Sequence, residues 1–217
     1  MSFASSGAYT RPSNTFSNPV VGQPILPTDA DSLFDDGETA FNSTFLARQL
    51  FLSLSASQVG TDVNTAQSWF PGGGATGITL AAATSYFFEG LLAHKRTAGT
   101  TSHTIGNLFG GTATLTSIGY MATAYASDTA NFIFGTVQTN FVAVATNTTI
   151  WNTASTSADQ TVLVRVRGLV RVNAAGTFIP QFQFSAAPGG APTVQANSFF
   201  MLSPIGTNTV LNQGSWT

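Results

Sequence analysis

Apolar and polar side chains alternate along much of this chain after Asn42, and this period of two constrains its fold more than any other feature. Leu50, Leu52 and Leu54 lie on one side of an extended segment, while Ser53 and Ser55 lie on the other. A half-buried β-strand has this pattern, whereas an amphipathic helix requires a period near 3.6. Further candidate strands are residues 85–95, 113–125, 131–137, 140–145, 161–172, 178–185 and 197–202. Short strands separated by Gly, Pro and Asn turns predict an all-β antiparallel fold, either a sandwich or a jelly roll.

The segment 161–185 predicts a β-hairpin around a turn at residues 173–176. Its two halves place arginine and glutamine side chains on one face and apolar side chains on the other. We expect the apolar set to lie in the core: Val162, Val164, Val166, Phe178, Phe182 and Phe184.

Some of the predicted strands are apolar on both faces. The clearest are residues 86–92, which read YFFEGLL, and residues 132–134, which read FIF. A strand with a second apolar face needs a second surface to cover it, and in a small sandwich that surface is usually another subunit. We therefore predict an oligomer whose interface includes Phe87, Leu91, Phe132 and Phe134.

The composition excludes several classes of protein. Charged residues make up 7% of the 217 residues, and the net charge is -2. Only seven lysines and arginines are present, too few and too scattered for a nucleic-acid partner. The long uncharged stretches are rich in Thr, Ser, Asn and Gly, which argues against a membrane-spanning segment, and the N-terminus lacks the pattern of a secretory signal. Without cysteine the chain forms no disulfide and no thiolate metal site.

Few groups are suited to catalysis or metal binding. His94 and His103 have no acidic cluster beside them in sequence. Imidazoles that face solvent or are hydrogen-bonded are therefore the favoured interpretation, and a metal site is the alternative. No Gly-x-Ser-x-Gly motif supports a Ser-His-Asp triad. Glu89 lies within a predicted strand, where pairing with Lys95 or an arginine is a simpler role than glycoside hydrolysis. We expect no enzymatic activity, no cofactor and no metal.

Three arginines, Arg165, Arg167 and Arg171, share one face of a predicted strand. A solvated sheet face or contacts around an oligomer axis are the favoured interpretations, and an anionic ligand site is the alternative.

The N-terminal region differs from the rest of the chain. Four prolines within residues 1–27 exclude a helix or a central strand and predict an extended arm. The arm has too little apolar surface to offset the entropy lost on ordering it, so it requires a host surface or neighbouring copies. Residues 29–41 contain five of the nine acids and predict a short amphipathic helix, which either folds onto its own domain or docks on another protein. Within residues 1–44 the predicted anchoring side chains are Tyr9, Arg11, Phe16, Val20, Ile25, Leu33, Phe34 and Phe41.

Several local segments have counterparts in a known class of proteins. They are YTRP from Tyr9, FSNPV from Phe16, PTDAD from Pro27, YFFEGLL from Tyr86, TSHT from Thr101, FGGTATL from Phe109, NAAGT from Asn173, PQFQFS from Pro180 and FFMLSPIG from Phe199. The first three resemble the virion-attachment ends of phage fibres, and the others resemble the C-terminal domains of structural proteins of tailed bacteriophages.

The resemblance implies a jelly roll like that of tumour-necrosis-factor-type trimers. Residues 1–44 would then attach to the major capsid or tail proteins of the virion, and residues 45–217 would form a homotrimer on the virion surface, made in the bacterial host cytoplasm. No long shaft lies between the two parts, which favours a short spike, head fibre or capsid decoration protein. The alternative function is a tail fibre or receptor-binding protein that recognises a host surface glycan. Its candidate aromatic contacts are Trp69, Trp151 and Tyr125, although aromatic side chains of sandwiches more often lie in the core.

Overall fold

We used a computed structural model that describes residues 49–71, 77–129 and 136–209, together with the backbone of two short strands near the N-terminus. The chain divides into two units, Met1–Gln49 and Leu50–Thr217. In the first unit, strand β1 (Ser2–Phe3) pairs antiparallel with β2 (Tyr9–Thr10). The predicted helix at 29–41 lies outside the described residues. So do all the predicted anchoring side chains; for Tyr9 only the backbone, in β2, is described.

The described part of the second unit is entirely β-structure, without a helix. Its strands are β3 (Leu50–Ser53), β4 (Gln58–Val59), β5 (Gln67–Ser68), β6 (Ile78–Leu80), β7 (Thr84–Thr97), β8 (His103–Gly110), β9 (Thr114–Ser127), β10 (Thr136–Val142), β11 (Thr148–Ser155), β12 (Asp159–Ala174), β13 (Gly176–Phe184), β14 (Thr193–Val194) and β15 (Phe199–Thr207). All pairings among them are antiparallel.

These strands form two sheets. The large sheet has the order β10-β9-β12-β7, and β7 then pairs with β15 along one half and with β14 along the other. β3 continues the sheet beyond β15, and β4 continues it beyond β14. The small sheet has the order β11-β8-β13-β5, with β6 also paired to β13. The prediction of an all-β antiparallel fold is confirmed.

The core lies between the two sheets, because alternate residues of each strand point inward. Five aromatic rings meet at its centre with centroids 4.6 to 6.2 Å apart. Phe88, Tyr120 and Phe200 come from the large sheet, and Phe109 and Phe178 come from the small one. The valines of β12 and the phenylalanines of β13 are buried, as predicted from the alternation of residues along these segments.

The predicted hairpin at 161–185 is wrong. β12 lies in the large sheet between β7 and β9, and β13 lies in the small sheet beside β8. The turn near Ala175 therefore carries the chain from one sheet to the other. Alternation predicted the inward side of each strand correctly, but it carries no information about which strand pairs with which.

Two predicted strands also differ from those observed. The segments 131–137 and 140–145 were predicted as two strands, but one strand, β10 (Thr136–Val142), contains the end of the first segment, the start of the second and the residues between them. Residues 131–135 lie outside the described part of the chain. β8 and β11 were not predicted.

Candidate interaction surface

One face of the large sheet carries most of the exposed apolar side chains. We call it the outer face, because it points away from the small sheet. Seven large hydrophobic residues are exposed in the described ranges, and the strand register places six of them on this face: Phe51, Val59, Leu91, Met121, Val137 and Phe141. The seventh, Val144, lies in the connection between β10 and β11. Such a concentration is typical of interaction surfaces, because the exposed apolar residues of a typical monomer are scattered singly.

Register across six strands shows how this face is arranged. One row of directly opposed residues runs Phe141, Met121, Arg167, Glu89, Met201 and Phe51. The row is apolar at both ends and charged in the middle. Phe141 is 79% exposed and Phe51 is 59% exposed, so the two most outward rings of the row lie at opposite edges of the sheet.

The apolar side chains therefore form two separate patches. The first, which we call the β10 patch, consists of Met121, Val137 and Phe141. The second, the β3 patch, consists of Phe51, Leu91 and Phe199; the rings of Phe51 and Phe199 stack with centroids 5.8 Å apart.

Between the patches runs the arginine strip of β12, formed by Arg165, Arg167 and Arg171. The Arg165 guanidinium donates to Glu89 Oε1 at 2.9 Å, which agrees with the predicted pairing of this carboxylate. The Arg167 guanidinium lies 5.2 Å from the centre of the Phe87 ring, within the range of a cation–π contact. A cavity of about 150 Å³ beside the strip is lined by Met121, Thr123, Tyr125, Arg165 and Arg167.

Two of the four predicted interface residues can be placed on this face. Phe87 is half-buried beneath Arg167, and Leu91 is 37% exposed in the β3 patch. Phe132 and Phe134 lie outside the described residues. Their role in an oligomer, like that of Phe87 and Leu91, stays a prediction. Phe51, Met121 and Phe141 were not among the predicted interface residues.

A buried arginine lies inside the sandwich at one end of β7. Arg96 is almost fully buried, and its guanidinium donates to the carbonyl oxygens of Ala98, Gly99 and Ser157. Gly99 adopts a φ of +85°, and a side chain there would collide with the Pro188 carbonyl. Arg96 thus ties the loop after β7 to the loop before β12, a structural role that accounts for its burial.

Both histidines are buried. His103 is hydrogen-bonded, which is one of the two expected alternatives to a metal site, whereas neither histidine faces solvent. The two nitrogens of His103 lie 2.8 Å from the Thr101 carbonyl oxygen and 2.9 Å from Gln160 Oε1. Within the described structure His94 has no hydrogen-bond partner for either ring nitrogen. It lies among Trp69, Phe182 and Phe184, with ring centroids 5.1 to 5.6 Å away. Burial, with smaller contributions from Arg96 and His103, lowers the pKa of His94 to about 3.

The polar groups of the described part do not assemble a recognisable catalytic chain. Ser155 Oγ donates to Asp128 Oδ1 at 2.6 Å, whereas a nucleophilic serine is typically activated by a histidine or a lysine at that position. Within the described ranges, no group of three His, Asp or Glu side chains is arranged to hold a metal ion. In the same part of the chain there is no helix of the length and apolarity needed to span a membrane.

The two tryptophans proposed as glycan contacts are core residues, which corrects that expectation. Trp69 is completely buried, and its Nε1 lies 3.4 Å from Asn107 Oδ1. Trp151 is also buried, although it borders a cavity of about 200 Å³ together with Asp128, Thr153 and Ser155. A sugar stacks on an exposed aromatic face, and neither indole presents one.

Comparison with known proteins adds little. No family model matches the chain, and no curated protein matches it. Two solved structures with weak similarity are that of infectious bursal disease virus strain Gx and that of the VP2 subviral particle of the same virus. The first is 14% identical with a TM-score of 0.20, and it aligns over 73% of this chain and 41% of the other. The second is 16% identical with a TM-score of 0.18, over 73% and 42%. This chain thus spans about two fifths of the length of those proteins, and TM-scores of this size carry no argument about its function.

Proposed function

We propose that this chain is a non-enzymatic structural component of a bacteriophage particle: a trimeric short fibre, spike or capsid decoration protein. In this proposal residues 1–44 attach to capsid or tail proteins, and the sandwich, as a jelly roll, assembles with its copies on the virion surface. The observation that carries the proposal is the outer face, where exposed apolar side chains are concentrated on one side of one sheet.

The proposal accounts for the distribution of chemistry in the sandwich. Several described buried polar groups have structural roles: Arg96 holds loops together, and Ser155 donates a hydrogen bond to the exposed Asp128. The exposed apolar groups are spread over one face of the large sheet, and a sheet face serves protein–protein contacts better than binding of a small substrate, which needs a concave pocket.

The arm supports the attachment half of the proposal. Its segments resemble the virion-attachment ends of phage fibres, and its composition combines prolines with regularly placed apolar side chains. A segment of this kind orders when a partner supplies backbone hydrogen bonds and apolar pockets.

The test compares the full chain with a variant that lacks residues 1–44. Light scattering of the purified full chain should give the mass of three copies. Particles of the phage that encodes the chain, assembled with each version, should contain the full chain and exclude the shortened one, as measured by quantitative immunoblotting. A stable monomer, or normal incorporation of the shortened chain, contradicts the proposal.

A further inference from the structure

We propose that neighbouring copies of this chain meet through unlike patches, with the β10 patch of one copy packed against the β3 patch of the next. This inference rests on the proposed function, because it assumes that the chain assembles with itself. Beyond that function, it states which surface forms the contact, which patches meet and what type of symmetry relates the copies.

The row of residues across the large sheet is the first argument. Phe141 and Met121 occupy one end of the row, Met201 and Phe51 occupy the other, and Arg167 and Glu89 separate them. Water surrounds two apolar surfaces of similar character on one molecule. Covering both with copies of the same chain requires that each copy use its two ends.

Charge is the second argument, and it concerns how two copies approach. If two outer faces stacked over their whole width, the arginine strip of one copy would oppose the strip of the other. Among the described residues of the face, Arg165 alone has a carboxylate partner, Glu89. Stacking would therefore bring Arg167 and Arg171 against like charges and desolvate them. Contacts between the ends of the face avoid this, because the members of both patches are uncharged.

A contact between unlike patches fixes the type of symmetry. Each copy uses one patch to bind its neighbour and leaves the other patch for the next neighbour, so the assembly either closes into a ring or extends as a filament. A ring of three is the closed form consistent with the proposed function. In such a ring the arginine strip of every copy lies between its two contacts.

The experiment introduces opposite charges at the two exposed rings. Phe141→Asp alone and Phe51→Lys alone should each place an unpaired charge in an apolar contact and weaken association by at least about 100-fold. The double variant F51K/F141D should assemble again, because the contact between unlike patches brings the two new charges together. Sedimentation at several concentrations measures the mass of each protein, and circular dichroism checks that each is folded.

The matched control is Val144→Asp, because Val144 is 48% exposed but lies off the outer face. This variant should form an assembly of the same mass as the unaltered protein does. An unaltered chain that is monomeric refutes the proposed trimer as well as this inference. An oligomer that survives both single charge substitutions refutes only this inference, and so does loss of assembly without rescue in the double variant, which is the result expected for contacts between like patches.

Discussion

At the scale of single residues, His94 is the most unusual group in the sandwich. Its imidazole fills a space bounded by Trp69, Phe182 and Phe184, and in the described structure its ring nitrogens have no hydrogen-bond partner. A buried polar group without a partner costs stability. Shape explains its presence only in part, since a phenylalanine ring fills a similar space without the polar atoms.

Stability should therefore depend on pH through His94. The folded-state pKa is about 3, against 6.5 for an unperturbed histidine, so below pH 6.5 the unfolded chain binds a proton that the folded chain does not. The free energy of unfolding should fall by about 1.4 kcal/mol for each pH unit below 6.5 until the folded-state pKa is reached. Urea unfolding between pH 5 and pH 8 measures this slope.

The variant His94→Phe isolates the contribution of the imidazole. Carboxylates elsewhere in the chain titrate in both proteins, so the difference between the two curves belongs to His94. The variant should lose most of the slope between pH 5 and 6.5 while keeping a cooperative transition. Parallel curves for the two proteins would show that His94 binds the proton equally in the folded and unfolded states, which contradicts a lowered folded-state pKa.

At the scale of elements, β12 organises the large sheet. It is sixteen residues long and pairs with β7 on one side and with β9 on the other along nearly its whole length. Valines on its inner side enter the core, and arginines on its outer side form the strip. Its fit against β9 depends on Gly168, because a Cβ at that position would lie 2.4 Å from the Gly119 carbonyl oxygen.

Gly168→Ala should accordingly destabilise the sandwich by about 1 to 3 kcal/mol, since the added methyl group meets backbone that cannot move without disturbing the pairing of β12 with β9. Gly119→Ala on β9 is the matched control. Among the described residues, a Cβ there meets the Phe141 ring alone, at 3.6 Å. The substitution should therefore raise the free energy of unfolding slightly, by less than about 1 kcal/mol. Equilibrium unfolding in urea compares the two, and equal effects would contradict the explanation.

The elements also show what could be predicted from the sequence. β9 and β12 were recognised because most of their inward residues are apolar and alternate regularly, and β7 because its middle is apolar on both faces. β8 places His103 and Asn107 at buried positions, so its alternation is hidden by polar residues whose partners come from distant strands. In β11 a register shift between Thr149 and Trp151 leaves both Ile150 and Trp151 buried, which breaks the period of two.

At the scale of the whole molecule, the sequence predicted that the sandwich would have apolar surface to spare, but not where that surface would lie. Phe51, Met121 and Phe141 are far apart in the chain, and only the pairing of β3 with β15 and of β10 with β9 brings them into one row. The glycan-contact prediction failed for a related reason. A tryptophan in a strand pattern is compatible with either face, and the packing of the two sheets places Trp69 and Trp151 inside.

The same pairing pattern predicts how the chain responds to truncation. Every described strand from β3 to β15 pairs within the second unit, and all the described buried apolar residues lie between Trp69 and Leu202. Truncation is tolerated where it removes no buried apolar group and no backbone hydrogen bond of the remaining fold. A fragment of residues 45–217 should therefore unfold cooperatively, with a free energy of unfolding within about 1 kcal/mol of the full chain under conditions where both have the same oligomeric state.

Urea unfolding followed by circular dichroism measures this, and the result decides how the particle experiment is interpreted. If the fragment is folded and absent from particles, the loss belongs to attachment by the arm. If the fragment is insoluble or lacks a cooperative transition, residues 1–44 stabilise the sandwich itself. The arm would then have a role in folding that is not evident from the pairing of strands β3 to β15.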